Sequence, residues 1–385
     1  MNKKILKICS YISISILFIS FISGCVQQKP QMSSLSFETV NDSLTLAETW
    51  ITNNLNDEGY FNYRYDPLSE EYSSKNNMIR QLMASRLLAE MSQENTSLQS
   101  LHQKNLDYIF SNWYRENNGT GYIYFDEKSK LGAIAMAVRT LVYSPFFDDY
   151  EDEAYRLANC ILSLLNDDGS FEPWYIEPSY SYDKDYLLTF YSGEAILSLV
   201  EFYQITNDTT FLKTAIISQN FYVDRYVNQM DDFYYPAYVP WHTQSLNKLY
   251  HITENQVYLE AIMTLNDKLL EIQDRDNTSA FLGRFYNDST PQYGSPHSSS
   301  DAVYIEGLAY AYEIAELVGD EDHIRQYKQA ITLGIQNLIG LQYNSSNWRI
   351  NGAIRINADD MELRVDTTQH MADAFRKIIE VFFKV

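Results

Sequence analysis

"NDDGSFEPWY" fills residues 166–175, and "NDEGYFNYRY" fills 56–65. Each sets an Asn-Asp-x-Gly turn before an aromatic, strand-like tail. Asn and Asp fold back on their own backbone, and Gly accepts a positive φ without steric cost, so the wording predicts a tight turn. Working outward, four further segments fall between helical stretches: "ENNGTGYIYFDE", "QMDDFYYPAYVP", "SAFLGRFYNDSTPQYGSPH" and "NSSNWRINGAIRINADD". They recur at roughly 50 to 70 residues, the length of one helical hairpin. Before each loop lies an amphipathic stretch (44–55, 101–115, 151–165, 211–226, 256–272 and 323–341). After each lies one apolar on all sides (78–91, 131–143, 192–203, 241–251, 301–317 and 367–382). A helix apolar around its circumference is buried. The pattern predicts an all-α (α/α)6 toroid, six helical hairpins in inner and outer rings, with short strand-like loops on one face. That face carries the N-termini of the inner helices. A two-domain helical protein is the alternative.

The chain opens with Lys3, Lys4 and Lys7, an apolar run over 8–22 and then "ISGC". Charge, short apolar core and small residues in that order predict a secretory signal. The wording resembles the lipobox of bacterial-type lipoproteins, which implies lipidation at Cys25. The expected organisation is a signal peptide over 1–24, a tether over 25–38 and the toroid over 39–385. A lipid at Cys25 would hold the protein at the cell membrane on its extracytoplasmic face. With only Cys9, Cys25 and Cys160 in the chain, no disulfide is expected within the mature protein. The formal charge of −22 argues against nucleic acid as a partner. A monomer is expected.

The segment "FYSGEAILSLVEFYQITND" (190–208) is similar to part of the D-glucuronyl C5-epimerase C-terminal domain. As architecture, the mature chain resembles the six-hairpin toroids of carbohydrate-active enzymes: glycoside hydrolases, polysaccharide lyases and sugar epimerases. That resemblance implies a glycan substrate, although no diagnostic catalytic signature of one family is present. Terpenoid-cyclase toroids share the "DGSF" turn, but their Asp-x-Asp-Asp motif is absent. "DDYED" (148–152) reads more simply as acids favoured at a helix N-terminus than as a metal motif.

Polar residues recur near the starts of the inner stretches: Gln81, Glu194, Gln244, Glu306 and Asp373. One expectation is a structural ring in which Gln81 and Gln244 bond to Glu194 and Glu306. The other is that a buried carboxyl among them has a raised pKa and acts as acid or base. Asp301 caps a helix or, paired with Glu194, supplies the two carboxyls that glycosidic cleavage needs. His242, His297 and His370 fall in the same layer, and His242 and His370 are candidate proton shuttles. His102, His251 and His323 read as solvated. For substrate contact the candidates are Trp174, Trp241, Tyr191, Tyr63 and Tyr238 by stacking, with Gln244 beside them. Arg80, Arg284 and Arg355 are candidates to hold a uronate carboxylate. No local zinc spacing occurs, so neither metal nor cofactor is expected. The functional expectation is a surface-anchored enzyme that processes a polysaccharide or oligosaccharide by hydrolysis, lyase cleavage or uronate epimerisation. A non-catalytic glycan-binding or protein-scaffold lipoprotein is the alternative.

Overall fold

A computed structural model of the chain describes residues 35–384. The leader and Cys25 lie outside the described residues. Twelve helices longer than ten residues fall in one compact unit that begins at Phe37. In chain order they are α1 (Phe37–Asn54), α2 (Met78–Glu94), α3 (Gln99–Asn112), α4 (Leu131–Val142), α5 (Glu151–Ser163) and α6 (Lys184–Thr206). They continue with α7 (Thr209–Val223), α8 (Val239–Thr253), α9 (Gln256–Leu270), α10 (Ser298–Val318), α11 (Glu321–Leu341) and α12 (Val365–Ile378). Among the described residues no helix is long and apolar enough to cross a membrane.

The even-numbered helices form the inner ring. Each packs on the next, and α12 returns to α2, so the ring closes. Burial follows the sequence pattern. Every residue of α4 from Leu131 to Leu141 is buried, whereas α5 buries one stripe of Ala154, Leu157, Ala158, Cys160 and Ile161. The odd-numbered helices wrap this ring, with α12 against α1 and α2, α4, α6, α8 and α10 each against the outer helix that follows. An inner helix therefore passes to an outer one by a brief turn. The return to the next inner helix takes a long loop, and all six long loops share one face.

Short strands brace that face: β1 (Arg64–Asp66), β2 (Glu71–Tyr72), β3 (Tyr114–Asn117), β4 (Thr120–Ile123), β5 (Ser129–Lys130), β6 (Trp174–Ile176) and β7 (Leu363–Arg364). β3 pairs with β4 and β5 with β6. β1 pairs with both β2 and β7, joining the first long loop to the last with Arg64 opposite Arg364.

The Asn-Asp-x-Gly turns dock each loop on the next outer helix. In both, the Asn carbonyl accepts from the Gly N–H, and the aromatic two residues past the Gly, Phe61 or Phe171, is fully buried. Gly59 (φ +107°) lies against α3, where an added Cβ would stand 2.6 Å from the Lys104 carbonyl oxygen. Gly352 (φ +92°), in the last loop, sits on α1 with 2.0 Å between such a Cβ and the Leu46 oxygen. Gly169 and Gly283 repeat the arrangement on α7 and α11. The opening motif is therefore a docking element of the repeat rather than a ligand contact.

Several helix boundaries differ from expectation, among them α1, which starts at Phe37 rather than Leu44, and two on the loop face have a local cause. α6 starts at Lys184 because Asp183 caps it by accepting from the Tyr186 N–H, which adds two turns on the loop face. α3 stops at Asn112 because the β3–β4 hairpin takes over the following backbone.

Gly352→Ala is expected to cost at least about 2 kcal/mol, from strain at positive φ and the clash with backbone. Gly340 of α11 has nothing within 4 Å of its Cβ position. Gly340→Ala should instead gain about 0.5–1 kcal/mol. Urea midpoints of the two variants check this, and shifts of the same sign would contradict the docking role.

Candidate active site

The loop face opens into a cavity of about 470 Å³ at the mouth of the inner ring. Its aromatic wall includes Tyr186, Tyr191, Tyr235, Trp241 and Tyr304, and its acidic and basic lining is Arg80, Lys130, Arg364, Glu194 and Asp366, with His297 and His370.

Glu194 projects from α6 and is 2% exposed. Its seat depends on Gly132 at the start of α4: a Cβ there would stand 2.3 Å from Glu194 Oε2. That oxygen is shut off from solvent and has no hydrogen-bond partner. Burial pushes the Glu194 pKa up to about 8, and attraction from Arg139, Lys130 and Arg80 only partly offsets it. Near neutral pH, Glu194 is an uncharged acid facing a cavity.

Asp366, in the first turn of α12, has the opposite fate. Arg80 Nε donates to its Oδ2 at 2.8 Å, and Arg364 holds both oxygens through Nε and Nη2. Burial works against ionisation, but Arg80 and Arg364 together bring the pKa down to about 2. Both guanidinium groups, and that of Arg64, lie over the buried Tyr63 ring at 4.9–5.8 Å. His297 Nε2 lies 3.4 Å from Arg364 Nη1, while its Nδ1 accepts from the Ser299 N–H and caps α10. Lys130 sits with its ammonium 5.8 Å from the Trp174 ring centre. Burial, with repulsion from Lys128 and Arg80, lowers its pKa to about 8. With Glu194 neutral, three cations face one carboxylate, so the mouth is locally positive on a protein of net charge −22.

Of the expected residues, the structure gathers Glu194, His370, Tyr191, Trp241 and Arg80 around this cavity. His370 lies 6.0 Å from Trp241 ring to ring, and burial keeps it neutral with a pKa of about 4. Tyr63 and Trp174 support it from behind, under the arginines and Lys130.

The others are engaged elsewhere. Asp301 accepts from Arg284 Nε and from the Phe285 N–H, each at 2.8 Å, while Arg284 Nη2 donates to the Ile356 carbonyl. This buried pair ties the fifth and sixth loops together and leaves neither group free for substrate. His242 is locked as the Nε2–H tautomer: Gln219 donates to Nδ1 at 3.1 Å, and Nε2 meets the Ser192 hydroxyl at 3.0 Å. Burial lowers its pKa to about 3, which removes it as a shuttle near neutrality. Tyr238 is fully buried and stacks on Tyr226 at 3.9 Å. Arg355 donates to the carbonyls of Leu341 and Gly340.

The expected polar ring does not form. Gln81 instead accepts from the Phe61 N–H and donates to the Phe61 carbonyl and Asn76. Gln244 is buried with neither amide atom bonded. Glu306 and Asp373 line a separate cavity that also holds Tyr143 and Glu380. Similar local wording does not fix how far along the toroid axis each helix enters. His102, expected in solvent, is buried, stacked on Phe146 and bonded to Ser144.

Sequence reasoning passed over Asp366, Arg364 and Lys130. All three stand within two residues of an inner-helix start, where an acid reads as a cap and a lysine as solvated. The available signal was "LRVD" directly before an expected inner helix, since a buried helix start has little other use for two opposite charges.

Glu194 makes stability depend on pH in a defined direction. Its folded pKa of about 8 exceeds the ordinary 4.5, so between these values the folded chain holds a proton that the unfolded chain releases. Stability from this group therefore falls as pH rises through that window. Glu194→Gln should be more stable than the parent, by a gap that widens across it to a few kcal/mol, roughly 1.4 per pKa unit. Denaturation midpoints taken across the window test this, and a constant gap would mean that Glu194 ionises normally.

No family model matches the chain, and no curated protein does. Solved structures do match. A D-mannose isomerase aligns with a TM-score of 0.68 at 10% identity, over 90% of this chain and 100% of that one. The GH76A α-1,6-mannanase from Salegentibacter sp. HEL1_6 aligns at 0.65 and 12% identity, over 88% and 98%. An unsaturated glucuronyl hydrolase from Streptococcus agalactiae aligns at 0.63 and 14% identity, over 91% and 96%. At such identities the likeness is one of fold, and that fold is the α/α toroid, spanning nearly the whole of each protein.

Proposed function

We propose that the protein is a carbohydrate-processing enzyme whose loop-face cavity binds a sugar carrying a carboxylate and transfers a proton to it from Glu194. The observation that carries this is one cavity holding a neutral carboxyl, Glu194, and an ionised one, Asp366. Carboxyls driven apart in this way leave one able to give up a proton at neutral pH while the other stays charged and holds the arginines in place. Arg80, Arg364 and Lys130 would take the substrate carboxylate, and Trp241 and Tyr191 would stack on the apolar face of the ring. The solved neighbours, named as a mannose isomerase, a mannanase and a glucuronyl hydrolase, support a sugar in this place.

Hydrolysis is the favoured reaction: Glu194 protonates the glycosidic oxygen as the bond to it breaks, water adds to the anomeric carbon, and the proton that this water releases restores Glu194. Asp366 is held at both oxygens by arginine, so its part is to fix those guanidinium groups rather than to attack the sugar. The leader ending in "ISGC" supports export and attachment through a lipid at Cys25.

The test is turnover of acidic and neutral oligosaccharides by the full chain, read as new reducing ends, unsaturated uronate and deuterium uptake from solvent. Reducing ends from acidic substrates, lowered about 10²–10⁴-fold in Glu194→Gln, are expected. Arg364→Gln should raise KM for acidic substrates far more than for neutral ones. Deuterium uptake without cleavage would replace hydrolysis by epimerisation. No turnover of any glycan, with binding intact in Glu194→Gln, would leave a sugar-binding protein.

A further inference from the structure

α10 and α12 pack side by side in the inner ring. His370 and Asp373 are three residues apart on α12 and so share a face, and Glu306 of α10 meets them. One donor atom from each lies within 4.8 Å of the other two. All three side chains are more than nine-tenths buried. Among the described residues this is the one His/Cys/Asp/Glu group with such spacing. Two of its atoms, His370 Nδ1 and Asp373 Oδ1, are closed to solvent and have no hydrogen-bond partner. Leaving such atoms buried and unpaired is costly, and the protein offers nothing to satisfy them. The other Asp373 oxygen is held by Arg86 and Gln369, which fixes the carboxylate without occupying Oδ1.

We propose that Glu306, His370 and Asp373 form a binding site for a divalent metal ion. One imidazole nitrogen with two carboxylate oxygens suits borderline ions such as Zn²⁺, Co²⁺ or Fe²⁺, rather than Ca²⁺ or a thiolate-seeking ion. The charge balance permits it: Glu306 and Asp373, with Glu90 also paired to Arg86, leave net negative charge to meet a dication. An ion can reach the site from either end of the ring. Glu306 and Asp373 line the cavity of about 370 Å³ away from Glu194, while His370 lines the loop-face cavity. Cations on the first route are already committed, Arg376 to Glu48 and Glu94, and Lys377 to Glu313 and Glu380. The ion would stand between the two cavities and bind His370, leaving proton donation to Glu194. Uptake needs no substrate, so its outcome is independent of the proposed activity.

The experiment uses the untagged full chain, freed of metal by a chelator and titrated with Co²⁺ while visible ligand-field absorption is recorded. Glu306→Gln and His370→Gln run beside it, both close in shape to the parent. Asp373 is left alone because its loss would strip Arg86 of a buried partner. Saturation at one ion per chain is expected, with affinity lowered at least about tenfold in both variants. X-ray absorption of the Zn²⁺-loaded parent chain, which does not depend on how the variants fold, should show one imidazole with oxygen ligands. No uptake, uptake unchanged in either variant, or a shell with any other number of imidazoles would overturn the site.

Discussion

The first and last hairpins of the chain have to meet, and the loop face depends on that closure. Helix α12 returns to α1 and α2 across nearly the whole sequence, and the seam is built from backbone as much as from core. The Trp50 indole donates to the Arg349 carbonyl at 2.8 Å, Gln342 donates to the Ser43 carbonyl at 2.9 Å, and β1 pairs with β7. That pairing puts Arg364 and Asp366 beside Arg80, residues 286 or so apart in sequence that share one salt bridge. A partly closed toroid would keep most of its helices and lose this group of charges.

Within the mouth, a carboxyl in the first turn of α12 and one well inside α6 differ because of what faces them. Asp366 is ringed by guanidinium groups whose attraction outweighs its burial. Glu194 meets the bare backbone of Gly132 and no direct donor, so burial prevails. Attraction from Arg139, Lys130 and Arg80 moderates the shift without reversing it. Away from the cavity the same balance runs the other way at Glu201, where burial is overcome by Arg139, Lys248 and Tyr143 and the carboxyl stays ionised, with a pKa of about 2. Glu201 is fastened at 2.6 Å to Arg139 and joins α4 to α6. Glu194, seven positions earlier on the same helix, is left without a direct partner.

The fold was legible because its signals are local and repeated. Asn-Asp-x-Gly turns, alternating amphipathic and fully apolar stretches and the wording around Phe190 each stand within a few residues, and a repeat multiplies them. The site was only partly legible. Glu194, Tyr191, Trp241, Arg80 and His370 could be placed on the loop face because they sit near inner-helix starts. Whether such a residue faces the cavity or a neighbouring helix depends on rotation and depth, which sequence periodicity does not carry. Asp301 and His242 show this, since each stands at a helix start and each is consumed by other side chains, Asp301 by Arg284 of the loop before it and His242 by Ser192 and Gln219. Asp366 was missed for the converse reason, because its arginines come from opposite ends of the chain and only the closed ring unites them.

The account turns on Glu194 being a protonated acid in a cavity whose other carboxyl is charged. The most direct measurement is the infrared difference spectrum of the parent chain against Glu194→Gln, recorded at about pH 6 and again at about pH 10. A carboxylic-acid carbonyl band that is present in the parent at the lower pH, absent from the variant and lost at the higher pH is the expected result. A carboxylate signal from Glu194 already complete at the lower pH would contradict it.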